Sequence, residues 1–204
     1  MDTKQRIIDI SLKAFLEKGY DNFSMRNISK AVGIKQPTIY YYFEDKLALF
    51  KECIRVFFDK WYGWMAQTAP EDIDLKGLIK NTCLSFGRDN DVICSLYGAD
   101  TASGQYRLML DILAHCPQSM HYLREFNESY FALLKKLTAK AKADNQIRKS
   151  VHEESLYLLL ASLIEGSNII HITDPDLNFE QENERIFMMI WNGIKSDHEG
   201  RILT

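Results

Sequence analysis

Cysteine is scarce in this sequence of 204 residues, and its few cysteines follow no regular spacing. The four are Cys53, Cys83, Cys94 and Cys116. A disulfide framework or a structural zinc site requires cysteines at characteristic spacings, so neither is expected. His115, Cys116 and His121 also lack the spacing of a metal pair on a helix. We therefore expect no metal and no cofactor.

Sequence motifs of catalysis and of membrane insertion are lacking as well. No G-x-S-x-G, no H-E-x-x-H and no phosphate-binding glycine loop occurs. Charged residues interrupt the N-terminal segment, which is atypical of a signal peptide. No uncharged run approaches the roughly 18 residues that a membrane helix needs. The expected protein is soluble and cytoplasmic, has no membrane partner and is not an enzyme.

Proline and glycine are few, with 4 and 10 residues, so long segments run without a helix breaker. Nearly all of these segments have helical periodicity, and none alternates as a strand does. The sequence predicts an all-α fold of about nine helices: an N-terminal three-helix domain and a larger C-terminal helical domain. Pro70 and the acidic stretch 71–74, in which three of four residues are Asp or Glu, form the clearest break. Later helices are predicted at about 75–89, 105–115, 117–144, 152–172 and 179–196.

Local signals delimit the N-terminal helices. A first helix ends at Gly19, Ser24 caps a second, and Gly33 ends it. Pro37 suits the first turn of a third helix, and Asp45 is the predicted cap of a long fourth helix. Two short helices joined by a tight glycine turn are typical of a helix-turn-helix.

Charge is divided unevenly along the chain, whose formal net charge is −3. Residues 1–51 hold nine Lys or Arg against six Asp or Glu, a net +3. The remaining residues hold sixteen against twenty-two, a net −6. Only the basic N-terminal part favours contact with phosphates.

The predicted third helix carries the pattern that indicates nucleic-acid binding. Ile39 and Phe43, four residues apart, are predicted to face inward. The outer residues are Gln36, Thr38, Tyr40, Tyr41 and Tyr42. An amide, a hydroxyl and three phenols can bind phosphates and base edges without repelling DNA. The alternative is a plain three-helix core with tyrosines on its surface.

These residues resemble those of a known family. The segment Gln36-Pro37-Thr38-Ile39-Tyr40-Tyr41-Tyr42-Phe43, followed by Asp45-Lys46, resembles the recognition helix of TetR-family repressors. Gly19-Tyr20 and the run from Ser24 to Gly33 are similar to that family too, so the resemblance covers about residues 3–51. It implies a DNA-binding domain at 1–46 and an effector-binding and dimerisation domain at 47–204.

The resemblance also implies roles for single residues. The expected DNA-binding residues are Arg26, Lys35, Gln36, Thr38, Tyr40, Tyr41, Tyr42 and Lys46. Arg26 could contact guanine, Gln36 adenine, and Thr38 a thymine methyl group or a phosphate. The three tyrosines would chiefly hold phosphates, as would Lys46 at the start of helix four. Lys35 could equally be a solvated charge.

The end of the chain indicates a dimer interface. Ile186–Trp191 are six successive apolar residues, which predicts a helix buried on two sides. The preceding helix offers small residues for close approach, and TetR-like proteins dimerise through their final two helices. The expected interface residues are Ser162, Gly166, Phe187, Ile190, Trp191 and Ile194. Burial of both helices within one monomer is the alternative.

The middle of the chain is rich in aromatic residues, which composition and the resemblance together assign to an effector pocket. The candidate lining residues are Trp61, Trp64, Phe86, Tyr97, Tyr106, Tyr122, Phe126, Tyr130, Glu165 and Asn168. Most of the aromatics could be plain core, and hydrogen bonds at an interface could explain the two polar residues.

Together these features predict a ligand-responsive regulator that binds a palindromic operator as a homodimer, represses transcription and is released by a small hydrophobic effector. Two half-sites about 34 Å apart would match two such domains. The alternatives are a DNA-binding regulator controlled by a partner protein without a small-molecule effector, and a transcriptional activator.

Overall fold

The computed structural model describes residues 2–68, 70, 72–85, 103–174 and 176–196, with the backbone alone for 64–68. These residues form nine α-helices and no β-strand beyond an isolated bridge. The helices are α1 (Thr3–Lys18), α2 (Met25–Val32), α3 (Gln36–Tyr42), α4 (Lys46–Thr68), α5 (Leu75–Leu84), α6 (Gly104–His115), α7 (His121–Ala143), α8 (Glu153–Thr173) and α9 (Phe179–Ile194). A 3₁₀ turn at Pro117–Met120 leads into α7. The all-helical prediction is confirmed.

Side-chain caps determine where several helices begin. Asp2, Ser24 and Asp74 accept hydrogen bonds from backbone N–H groups in the first turns of α1, α2 and α5. Asp45 accepts from the backbone N–H of Ala48 at 2.7 Å at the start of α4. These bonds satisfy amides that lack a partner within the helix. The caps predicted at Ser24 and Asp45 are confirmed.

The first of two compact units contains residues 1–64 and 90–125. Its core is built from side chains with no solvent exposure, among them Ile7, Phe15, Ile28, Ile39 and Phe50. Within this unit α6 packs against α1. The boundary between the compact units therefore differs from the boundary predicted between the DNA-binding domain, 1–46, and the rest of the chain. The predicted functional boundary stays a prediction.

The second unit contains residues 65–89 and 126–204. Its core includes Leu75, Ile79, Leu134, Leu160 and Phe187, and α5 packs against both α8 and α9.

Helix α8 leaves more large apolar side chains exposed than any other described helix. By length and composition alone it could cross a membrane, and 22% of its most apolar window is buried. A helix of a soluble protein that packs against partners on two sides has the same composition.

Candidate nucleic-acid interface

The turn between α2 and α3 is held by backbone hydrogen bonds and by one arginine. Gly33 has the left-handed backbone, with φ +75° and ψ 32°. The N–H of Ile34 donates to the carbonyl of Ser29 at 3.0 Å, which closes the end of α2. Arg6 of α1 donates to the carbonyl of Val32 at 2.7 Å. These bonds fix the direction in which α3 leaves the turn.

Helix α3 has an inner apolar side and an outer aromatic side. Ile39 is fully buried and Phe43, which ends the helix, is buried as well. Tyr40 and Tyr41 are 48% and 82% exposed. Tyr42 is half-buried and packs against the core of the first unit, with its ring edge-on to Tyr41 at 5.0 Å. Sequence reasoning placed Tyr42 outside with the other two, and the structure places it at the edge of the core.

The other predicted contact residues lie on or next to α2 and α3. Arg26 and Lys35 are exposed, and Gln36 and Thr38 are half-buried in the free chain. Lys30 on α2 is exposed too and was not predicted. This surface therefore combines hydrogen-bonding groups with positive charge, which suits a polyanion.

Lys46 is already engaged within its own unit. Its Nζ donates to the carbonyl of Tyr20 at 3.0 Å and lies 3.9 Å from the centre of the Tyr20 ring. An ammonium group has three donors, so contact with a phosphate remains compatible with this bond. The phosphate role stays a prediction, while the link to Tyr20 is a role that sequence reasoning missed.

Tyr20 lies where α1, α4 and α6 meet. Its ring packs against Phe50 at 4.8 Å and against the His115 ring at 4.2 Å. Burial, followed by the negative charges of Asp45 and Asp21, raises the pKa of the Tyr20 phenol, which therefore stays neutral at physiological pH.

The predicted pocket residues are distributed over both units. In the first unit Trp61 stacks with Phe57 at 6.1 Å, and Tyr122 stacks with Phe58 at 5.5 Å. Tyr106 of the same unit is half-buried. Phe86 and Tyr97 lie outside the described residues, as does the side chain of Trp64.

Four predicted pocket residues belong to the second unit. Phe126 and Tyr130 are stacked at 6.3 Å, and Tyr130 contacts Tyr157, which was not predicted. Burial raises the pKa of Tyr130 to about 12, although its hydrogen bond with Thr82 acts in the opposite direction. Asn168 is buried and Glu165 is exposed.

The predicted interface residues have mixed positions. Ser162 is exposed and Gly166 is half-buried, as are Ile190, Trp191 and Ile194. Phe187 is 3% exposed because it lies in the core of its own unit, so its surface is not available to a partner. The exposed large apolar residues of α9 are Met188 and Met189, at 44% and 74% exposure.

The fold and this surface define a helix-turn-helix protein. The second helix of its motif, α3, presents an aromatic, hydrogen-bonding side to solvent. Residues 7–53 match the model of the bacterial regulatory proteins of the tetR family. Residues 7–53 thus match the TetR family, and the resemblance seen in the sequence is confirmed over these residues.

Individual proteins agree with this assignment. The chain is 29% identical over 75 residues to the biofilm operon icaADBC negative transcriptional regulator IcaR of Staphylococcus epidermidis. The match spans 37% of this chain and 40% of that relative.

The fold extends the likeness to nearly the whole chain. A TetR-family regulator from Cytophaga hutchinsonii has a TM-score of 0.71 at 17% identity, covering 95% of this chain and 94% of that one. FadR from Bacillus subtilis, solved with stearoyl-CoA, has a TM-score of 0.61 at 15% identity, covering 93% and 98%.

Proposed function

We propose that the chain is a cytoplasmic DNA-binding transcriptional repressor, which binds a palindromic operator as a homodimer and is released by a small hydrophobic effector. The observation that carries the proposal is the two-sided α3. Ile39 anchors it from within, while Tyr41 is 82% exposed on its outer side. Two adjacent exposed phenols on a short helix form an aromatic, hydrogen-bonding surface that a partner can cover, and a major groove accepts such a helix.

The proposed contacts to DNA are of two kinds: some position α3 on the duplex, and others recognise the base sequence. Tyr40 and Tyr41 donate hydrogen bonds to phosphates and set the register of the helix. Arg26, Gln36 and Thr38 read base edges, because a guanidinium and an amide each offer a paired set of hydrogen bonds. The net +3 of residues 1–51 adds a sequence-independent attraction to the duplex.

Dimerisation is supported by the apolar residues that α8 and α9 leave exposed. Leu158 is 60% exposed and Ile169 is 47% exposed on α8, and Met189 is 74% exposed on α9. Several large apolar side chains exposed on two helices indicate a protein interface more strongly than a single exposed apolar side chain does. A second copy of the chain covers both helices and supplies the second reading domain for a palindrome.

Release by an effector is supported by the aromatic residues of the body and by the Bacillus subtilis neighbour, whose ligand is stearoyl-CoA. Phe126, Tyr130 and Tyr157 are half-buried, and the Tyr130 ring contacts the other two, as in the wall of an apolar binding site. The sign of regulation follows the Staphylococcus epidermidis relative, which is described as a negative regulator.

Operator selection tests this function. Wild-type protein is incubated with a library of random DNA duplexes, and Kd values for the selected operator are measured by fluorescence anisotropy. Tyr41→Ala should weaken binding to all sequences, and Gln36→Ala should relax the preference at one base pair by about 1–3 kcal/mol. Leu113→Ala removes an exposed side chain on α6 and serves as the control.

The following results decide between the proposal and its alternatives. Failure to select any operator, or normal binding by both α3 variants, contradicts the function. A compound that raises the Tm of the protein should weaken operator binding roughly 5- to 150-fold. If no hydrophobic or cationic compound does so, control by a partner protein is favoured, and higher promoter activity in the presence of the protein indicates an activator.

A further inference from the structure

Two side chains of α6 bind the C-terminal end of α1. Arg107 donates from Nη1 to the carbonyl of Leu16 at 3.1 Å and also to the carbonyl of Glu17. Asp111 accepts from the backbone N–H of Tyr20 at 2.7 Å. The last carbonyls of a helix lack intrahelical partners and form the negative end of its dipole, so a guanidinium is favourable there. The Asp111 carboxylate suits the backbone N–H of Tyr20, which lies just beyond the end of α1.

Arg107 and Asp111 are four residues apart on α6 and therefore lie on the same face, one helical turn apart. The Arg107 guanidinium donates to carbonyl oxygens, and the Asp111 carboxylate accepts from an N–H. Exchanging the two charges would place a carboxylate against carbonyl oxygens. The pair therefore fixes both the position and the direction of the end of α1 in relation to α6.

Gly19 gives independent evidence of how closely α6 approaches. Its backbone has φ +80° and ψ 165°, a combination that is essentially restricted to glycine. A Cβ at this position would lie 3.2 Å from Cδ of Arg107 and 3.4 Å from Oδ2 of Asp111. The absence of a side chain at residue 19 leaves room for both α6 side chains.

Tyr20 connects this contact to the recognition helix. Its N–H is bound by Asp111 of α6, and its carbonyl accepts from Lys46, the first residue of α4. Lys46 follows the last residue of α3, Tyr42, by four positions. A continuous set of hydrogen bonds thus runs from α6 through Tyr20 to the segment that carries α3.

We propose that Arg107 and Asp111 are positioning residues for DNA recognition, which set the place of α3 and hence the half-site spacing that the protein accepts. This inference rests on the proposed function, because spacing has meaning only for a dimer on two half-sites. Neither residue has to touch DNA.

The experiment compares spacing preference with base preference. The duplexes are the operator selected by the wild-type protein, the same operator with its half-sites one base pair closer or farther apart, and one with a single base changed in each half-site. Wild-type protein should lose about tenfold or more in affinity when the spacing changes. Arg107→Gln and Asp111→Ala should reduce that loss to below about threefold, while the roughly fivefold or larger loss on base change persists.

Matched variants separate positioning from general destabilisation. Lys13→Gln with Glu17→Gln removes an i,i+4 ion pair on α1 of the same unit, at 3.8 Å, and should leave the spacing preference unchanged. Asp111→Asn keeps an acceptor oxygen and should restore most of the preference. A merely structural role would weaken binding to all duplexes by the same factor and lower the Tm.

An equal loss on all duplexes, or an unchanged spacing preference in both Arg107→Gln and Asp111→Ala, would overturn the inference while the proposed function stands. If the wild-type protein itself selects no operator, the proposed function is refuted and this inference with it.

Discussion

Gly33 is the residue on which the turn between α2 and α3 depends most directly. Its φ of +75° lies in the left-handed region, and its N–H donates to the carbonyl of Lys30. A Cβ built at this position would meet no atom within 4 Å. The requirement for glycine is therefore conformational and not steric, which was predictable from the sequence because a glycine that ends a short helix before an apolar residue is a local signal.

Gly33→Ala should accordingly lower the free energy of unfolding by about 1 kcal/mol, the cost of a Cβ in the left-handed region. Gly33→Asn should cost less, because asparagine tolerates this conformation better. Urea denaturation of both variants measures the difference. Equal stability of the alanine variant and the wild-type protein would show that the turn is not held in this conformation.

Single helices show how far local sequence signals reach. The caps at Ser24 and Asp45 and the inward residues Ile39 and Phe43 were predicted because each depends on neighbours within four positions. The bond from Asp111 to Tyr20 joins residues 91 positions apart and left no signal in the sequence. Its existence depends on how α6 packs against α1.

Helix α9 shows a second limit. Six successive apolar residues indicate burial on two sides, but they do not say which side faces the chain's own core. Phe187 lies in the core and Met188 and Met189 are exposed in the helix that packs against α5, and periodicity alone cannot say which side makes that contact. The sequence of such a helix therefore does not determine which of its apolar residues face a partner until the packing is known.

The hydrogen bond between α5 and α7 gives a prediction at the level of helices. Thr82 and Tyr130 are joined at 2.8 Å between their hydroxyl oxygens. Thr82→Val should lower the free energy of unfolding by about 1–2 kcal/mol, because a largely buried phenol loses its partner. Thr82→Ser keeps the hydroxyl and should cost less. Thermal and urea unfolding test this, and equal stabilities of the two variants would show that the bond contributes nothing.

The molecule as a whole is proposed to work as a dimer, and the exposed methionine of α9 makes that testable. Met189→Glu places a charge where the proposed interface excludes water, so it should convert the dimer to monomers and weaken operator binding. Light scattering after size-exclusion chromatography measures the oligomeric state. Leu110→Glu alters a side chain that is 66% exposed on α6 and is the matched control. A dimer that persists in Met189→Glu would exclude this surface.

The proposed DNA recognition depends centrally on the outer side of α3, and photocrosslinking tests this placement most directly. A benzophenone side chain replaces Tyr41 in one protein and Leu110 in another, and each is irradiated with the selected operator. We expect crosslinks from position 41 to bases or sugars of both half-sites, and none from position 110. Operator binding without any crosslink from position 41 would contradict the placement of α3 in the major groove.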